Sequence, residues 1–292
     1  MPILRVTARP GGLRMEGLDA ALGRLTPQAP VVVLVHGYKF SPHTPHADPH
    51  RLLYAIEPAR ACGRIRSWPQ GLGFGDRTAA EGLCLGFAWP AGLADQQDMP
   101  GRPLAAAYAA AAWAGGQLAR LLECIADLAP GRAVDILGHS LGARVALQAL
   151  AQARCANAGQ VILMGAAEYD DTARACLASP AGHAARVFNV TTRENALFDL
   201  LFQSFGPPRP PLAHPLGRGL PAHLRQAVDL PLDQPAWAPI YARRGVDLAP
   251  ARPWISHWSF YTRPGTMTLY RNIIRNRCDW VPAALKTEAA AA

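Results

Sequence analysis

Hydrophobic residues recur along this chain with two different periods. Val31–Val35 is an unbroken apolar run, mostly β-branched, with no polar alternation. That pattern predicts a central strand of a parallel sheet, buried on both faces. Similar runs at residues 83–89, 133–137, 161–165 and 186–192 predict further strands, and Pro90 stops the first of them. The helical period falls between the runs. Residues 103–128 carry the stripe Leu118, Leu121, Leu122, Ile125 and Leu128, closed by Pro130-Gly131, as one face of an amphipathic helix requires. Ala143, Val145, Leu147 and Leu150 predict a helix directly after the run at 133–137, and shorter helices are expected at 170–177, 195–203 and 266–276. Residues 3–6 and 13–16 read as short edge strands, and 49–57 as a helix with a proline in its first turn. Strands alternating with helices of this length predict an α/β fold, a mostly parallel sheet with helices on both faces.

Two stretches break the alternation. Residues 39–81 form a long connection that ends in a glycine-rich segment at 71–82. Residues 206–253 open with Pro207-Pro208-Arg209-Pro210-Pro211 and close with Pro250 and Pro253. Connections this long usually serve a function. Both are read as cap insertions, about 39–81 and 205–253, on one domain over 1–285. Leu212, Leu220, Trp237 and Ile240 are expected to line a pocket. The alanine-rich tail, 286–292, is expected to fray.

Composition narrows the class. Half of the 292 residues are hydrophobic and 17% are charged, which suits a globular chain. The net charge of +8 comes from scattered arginines, with Lys39 and Lys286 as the only lysines. Without a basic block, no nucleic-acid partner is expected. The six cysteines form no C-x-x-C pair. Together with an N-terminus lacking an apolar h-region, this suggests a reduced, cytoplasmic setting. No stretch is apolar enough for a membrane span. His43, His46 and His50 each follow a proline by one residue and lack companion ligands, so no metal is expected there. The segment at 71–75 matches neither phosphate-loop pattern, so no nucleotide cofactor is implied.

The chemistry centres on Gly138-His139-Ser140-Leu141-Gly142, a G-x-S-x-G between a predicted strand and a predicted helix. In that setting the pentapeptide is a nucleophile elbow, with the serine on a strained turn. A serine hydroxyl needs a base, and the base needs an orienting group, in the chain order Ser, acid, His. His257, on the segment before the final helix, is the expected base, ahead of His214 and His223. His36 and His139 are expected to be structural. Glu194, directly after the strand at 186–192, is the expected acid, ahead of Asp170, Asp171 and Asp199. Two backbone N–H groups must face the developing oxyanion. Leu141 supplies one, and Tyr38, after the strand-ending His36-Gly37, supplies the other.

These pieces resemble the α/β-hydrolase family, and within it a bacterial serine esterase-like branch of unassigned function. The resemblance rests on Val35-His36-Gly37-Tyr38, Phe87-Ala88-Trp89-Pro90, the elbow, Arg193-Glu194-Asn195-Ala196-Leu197 and Ser256-His257-Trp258-Ser259-Phe260. That branch usually carries aspartate at the position of Glu194. The expected activity is hydrolysis of a carboxylic ester or thioester through an acyl-enzyme, with a small-molecule acyl substrate and no cofactor. An acyltransferase using the same residues, or a non-catalytic binding protein of this fold, are the alternatives. The oligomeric state is not encoded in any feature of the sequence.

Overall fold

The computed structural model describes residues 3–60, 62–75, 82–92, 103–207, 212–221, 223–252 and 255–291. Among these residues, eight strands form one sheet: β1 (Ile3–Arg9), β2 (Gly12–Arg14), β3 (Val31–Val35), β4 (Leu83–Ala88), β5 (Val134–His139), β6 (Ala158–Met164), β7 (Arg186–Thr191) and β8 (Ala227–Pro231). Their order is β2-β1-β4-β3-β5-β6-β7-β8. Every neighbouring pair is parallel except β1 and β2.

The apolar runs have the predicted consequence. Val31, Val33 and Val35 face a core shared with the helices Pro103–Leu128 and Leu141–Gln152. Val32 and Leu34 face a second core, shared with Leu269, Tyr270 and Ile273 of the helix Thr266–Arg275. A sheet covered on both faces needs such runs, because each successive side chain enters a different apolar layer.

Three expectations need correction. Residues 49–57 form turns, not a helix. There the Tyr54 hydroxyl accepts the His36 N–H (2.7 Å) and donates to Phe87 O (3.0 Å), pinning the segment to the sheet. A short helix, Trp68–Gly71, leads into the glycine-rich stretch, of which residues 76–81 lie outside the described set. The stretch at 206–253 is not a cap. It carries β8, paired with β7 from Val187↔Ala227 to Thr191↔Pro231. Trp237 and Ile240 are buried in the sheet core, and Leu212 is 95% exposed. Finally, the tail continues a helix, Pro282–Ala290, in which Leu285 is buried and Glu288 pairs with Arg243 and Arg244.

Candidate active site

β5 ends at His139, and the chain reverses at Ser140 with φ 56° and ψ −122°. L-residues rarely occupy that region. Three backbone bonds hold it: Ser140 N–H donates to Met164 O (2.9 Å), while Ser140 O accepts Ala143 N–H (3.0 Å) and Ala167 N–H (3.2 Å). The turn also depends on two missing side chains. A Cβ at Gly138 would lie 2.6 Å from Gly142 O, and one at Gly142 would run into Val35 O.

The strand-ending His36-Gly37 meets this turn. His36 is fully buried, with Nδ1 bonded to Gly37 O (2.9 Å) and Nε2 accepting Trp89 N–H (3.1 Å). Burial pushes its pKa down to about 3, so it is a neutral bracket for the loop. A Cβ at Gly37 would sit 2.8 Å from Ser140 Cβ and 3.4 Å from Ser140 Oγ. The backbone just before Tyr38 therefore passes directly beside the serine. Leu141 opens its helix, where the first amides have no intrahelical acceptor. Among the described residues, no backbone hydrogen bond takes the Tyr38 N–H.

His257 lies on the segment after β8 and borders the same cavity as Ser140. Its ring stacks on Phe198 (4.6 Å between centroids, 20° between planes) and sits 4.5 Å from the His139 ring. His139 Nε2 is bonded to His257 O (2.9 Å), fixing the backbone that carries this imidazole. Burial holds both imidazoles neutral, His139 with a pKa pushed down to about 4 and His257 well below its ordinary value.

The partner of His257 is not the expected one. Its Nδ1 lies 2.6 Å from Asn195 Oδ1. Asn195 Nδ2 in turn donates to Asp199 Oδ1 (2.9 Å). That second bond fixes the amide orientation, because a carboxylate only accepts. Asn195 Oδ1 therefore accepts from a protonated Nδ1, which leaves Nε2 free of a proton. Burial pushes the Asp199 carboxyl up to about 7, opposed more weakly by the Asn195 hydrogen bond and by Arg218.

Glu194 points elsewhere. Its Oε1 accepts Arg252 N–H (2.8 Å), its Oε2 lies 3.8 Å from Arg263 Nη1, and its backbone O accepts Ser256 N–H (2.9 Å). The reason is local. A 3₁₀ turn, Arg193–Asn195, follows β7, and in so tight a turn adjacent side chains diverge. Glu194 thus anchors the segment leading to His257 and leaves the imidazole to its neighbour. Asp170 is bonded to His214 and Asp171 to Thr172, so neither faces the base. His223 is exposed.

The shared cavity measures about 570 Å³. Its walls are largely apolar, with Phe40, Leu52, Ile65 and Leu104 facing Phe198, Phe202 and Trp258. The segment at 39–65 contributes to it, but none of the described residues of 206–252 does. A larger hollow of about 810 Å³, bordered by Leu232 and Ala251, contains none of the predicted residues. His50 is buried and bonded to Thr7 Oγ1 (3.1 Å), whereas His43 and His46 are exposed.

The parallel sheet, the strained turn at Ser140 after its central strand and His257 after its last strand occur together. The model of the alpha/beta hydrolase family matches residues 32–288. The chain belongs to the alpha/beta hydrolase family. No curated protein matches it. Among the described residues of this hydrolase fold, no helix is long and apolar enough to cross a membrane.

Asn195 was not among the residues expected at the site, and Asp199 was ranked behind Glu194. Counted from Asn195, Asp199 is at i+4, the spacing that puts two side chains on one helical face. That spacing was the available signal.

Proposed function

We propose that this alpha/beta hydrolase is a serine hydrolase that cleaves a carboxylic ester or thioester through an acyl-enzyme. The observation that carries the reading is the pairing of a strained Ser140 with a neutral His257 in one apolar cavity, the imidazole held through Nδ1 by Asn195. Ser140 Oγ attacks the carbonyl carbon while His257 Nε2 takes its proton. The negative oxygen that forms is met by the N–H groups of Leu141 and Tyr38. The tetrahedral intermediate collapses, and the imidazolium returns its proton to the departing alcohol or thiol. Water then repeats the sequence on the acyl-enzyme and frees the acid. Asn195 stands where an acid was expected. It fixes the tautomer as a carboxylate would, but places no full charge next to the imidazolium; an asparagine fills the same role in papain-like proteases.

A fluorophosphonate probe tests the reading, since it phosphonylates an activated serine. Purified protein should be labelled at Ser140, as located by peptide mass spectrometry. Ser140→Ala should abolish both labelling and hydrolysis of a simple aryl ester while leaving the circular dichroism spectrum unchanged. Undiminished hydrolysis by that variant would refute the serine mechanism.

A further inference from the structure

We infer that Asp199 is a positioning residue: its carboxylate holds the Asn195 amide with Oδ1 toward His257, and protonating that carboxylate turns the amide over and moves the imidazole proton to Nε2. The inference rests on the serine-hydrolase reading for its effect on turnover, but not for the tautomer change itself.

The argument follows the hydrogen bonds. An asparagine side chain offers an acceptor at one end and donors at the other, and the two ends differ little in shape. Nothing in the imidazole alone selects between them, because a neutral ring has one nitrogen of each kind. Selection has to come from the far side of the amide, where Asp199 Oδ1 receives Nδ2–H at 2.9 Å. The ionised carboxylate only accepts, so the amide nitrogen must face it. Oδ1 then faces Nδ1, and Nε2 is left as the acceptor that a serine proton requires.

Protonation reverses each step, because the O–H of a carboxylic acid is a stronger donor than its carbonyl is an acceptor. A neutral Asp199 has an O–H to donate, and Asn195 Oδ1 is in reach once the amide rotates. The amide nitrogen then faces His257 and donates to Nδ1, which must be unprotonated. The ring proton moves to Nε2, where it blocks proton transfer from serine. No proton is lost or gained beyond the one taken up by Asp199.

The surroundings bring this change within an ordinary pH range. Asp199 packs against the turn Leu216–Arg218 so closely that a Cβ at Gly217 would run into its carboxylate. Arg218 on that turn is the charged group that favours ionisation, and burial, the larger effect, opposes it. Arg193 and Asp233, which border the small cavity behind Asp199, pair with each other at 3.2 Å. On the other side stand Asn195 and the neutral His257, with Lys39, Arg60 and Arg64 bordering the shared cavity. The resulting carboxyl titrates at about 7. His257, held neutral well below that, does not itself account for a change there.

The direct test reads the tautomer. Long-range ¹H–¹⁵N correlation spectra of the full chain distinguish Nδ1–H from Nε2–H, and His257→Asn identifies the signal. The wild type should carry Nδ1–H at about pH 8 and Nε2–H at about pH 5.5, crossing near neutrality. Asp199→Asn should show no crossing, because its amide does not titrate. Turnover of an aryl ester gives the second readout. The wild-type kcat should fall toward acid pH. Asp199→Asn should lose roughly 10²-fold at about pH 8 and lack the acid limb. The exchanged pair, Asn195→Asp with Asp199→Asn, should recover to within about tenfold, since a carboxylate then meets Nδ1 directly. A purely structural Asp199 would not be rescued by that exchange. Wild-type His257 keeping Nδ1–H down to about pH 5.5 would overturn the inference, as would Asp199→Asn with an unaltered pH profile. Absence of probe labelling at Ser140 would defeat the serine reading separately and leave the tautomer result standing.

Discussion

At the end of β7 two adjacent side chains part: the Asn195 amide meets His257, and the Glu194 carboxylate meets the Arg252 amide and Arg263. Their substitutions should therefore fail differently. Asn195→Leu offers Nδ1–H no acceptor and should lower kcat/KM of an aryl ester by about 10³–10⁴-fold, with little change in unfolding midpoint. Glu194→Gln retains an acceptor for Arg252 N–H but leaves the buried Arg263 guanidinium without its counter-charge. It should cost about 3 kcal/mol of stability, read by urea unfolding, with turnover of the folded enzyme within a few-fold of wild type. A large loss of turnover in Glu194→Gln, with Asn195→Leu unaffected, would restore Glu194 as the orienting group. The serine and the histidine were legible because their positions follow from the elbow motif and the chain order. The orienting residue was not, because a one-residue difference in a 3₁₀ turn decides which side chain faces inward, and the i, i+4 spacing of Asn195 and Asp199 is the one trace of it in the sequence.

The segment that follows β6 shows how separate elements are fixed around the elbow. Ala167 N–H donates to Ser140 O, and the next residue, Glu168, is fully buried. Its carboxylate pairs with Arg144 of the helix Leu141–Gln152, accepts the Tyr108 hydroxyl of the helix Pro103–Leu128 (2.5 Å) and accepts Tyr169 N–H (2.9 Å). The Arg144 guanidinium also lies 3.4 Å over the Tyr108 ring. One carboxylate thus ties a loop at the active serine to two helices. Glu168→Gln should destabilise by about 3–5 kcal/mol, because it strands a buried cation. Replacing both partners, Arg144→Met with Glu168→Gln, should recover part of that loss, because the glutamine still accepts from Tyr108 and Tyr169 and no cation is left stranded. Chemical denaturation of Glu168→Gln, Arg144→Met and the double variant completes the cycle, and costs that simply add in the double variant would refute the coupling. None of this network was visible beforehand, since Arg144, Glu168 and Tyr108 are far apart in sequence and none stands in a recognisable motif.

Over the whole molecule, the sheet was plainest where its strands are apolar on both faces, as in β3, and was missed at β8. β8 is five residues long, carries Asp229 at its centre and lies within a proline-rich stretch, so its pattern resembles a loop. It is a strand because β7 offers it an edge and because Asn189 Nδ2 and Leu220 N–H satisfy the Asp229 carboxylate. Those are partners supplied by the tertiary fold, which a local pattern does not contain. The same molecule-wide view gives the φ of 56° at Ser140 a thermal meaning. A backbone held in such a region costs about 1–3 kcal/mol, and glycine relieves it at an entropic cost of about 0.5–1 kcal/mol. Ser140→Gly should therefore melt about 2–4 °C above the wild type in differential scanning calorimetry. Ser140→Ala, which keeps its Cβ and hence the strain, should not. A Ser140→Gly protein melting at or below the wild-type temperature would mean that the turn is unstrained. In a population selected for heat resistance alone, the elbow serine would be among the first residues lost.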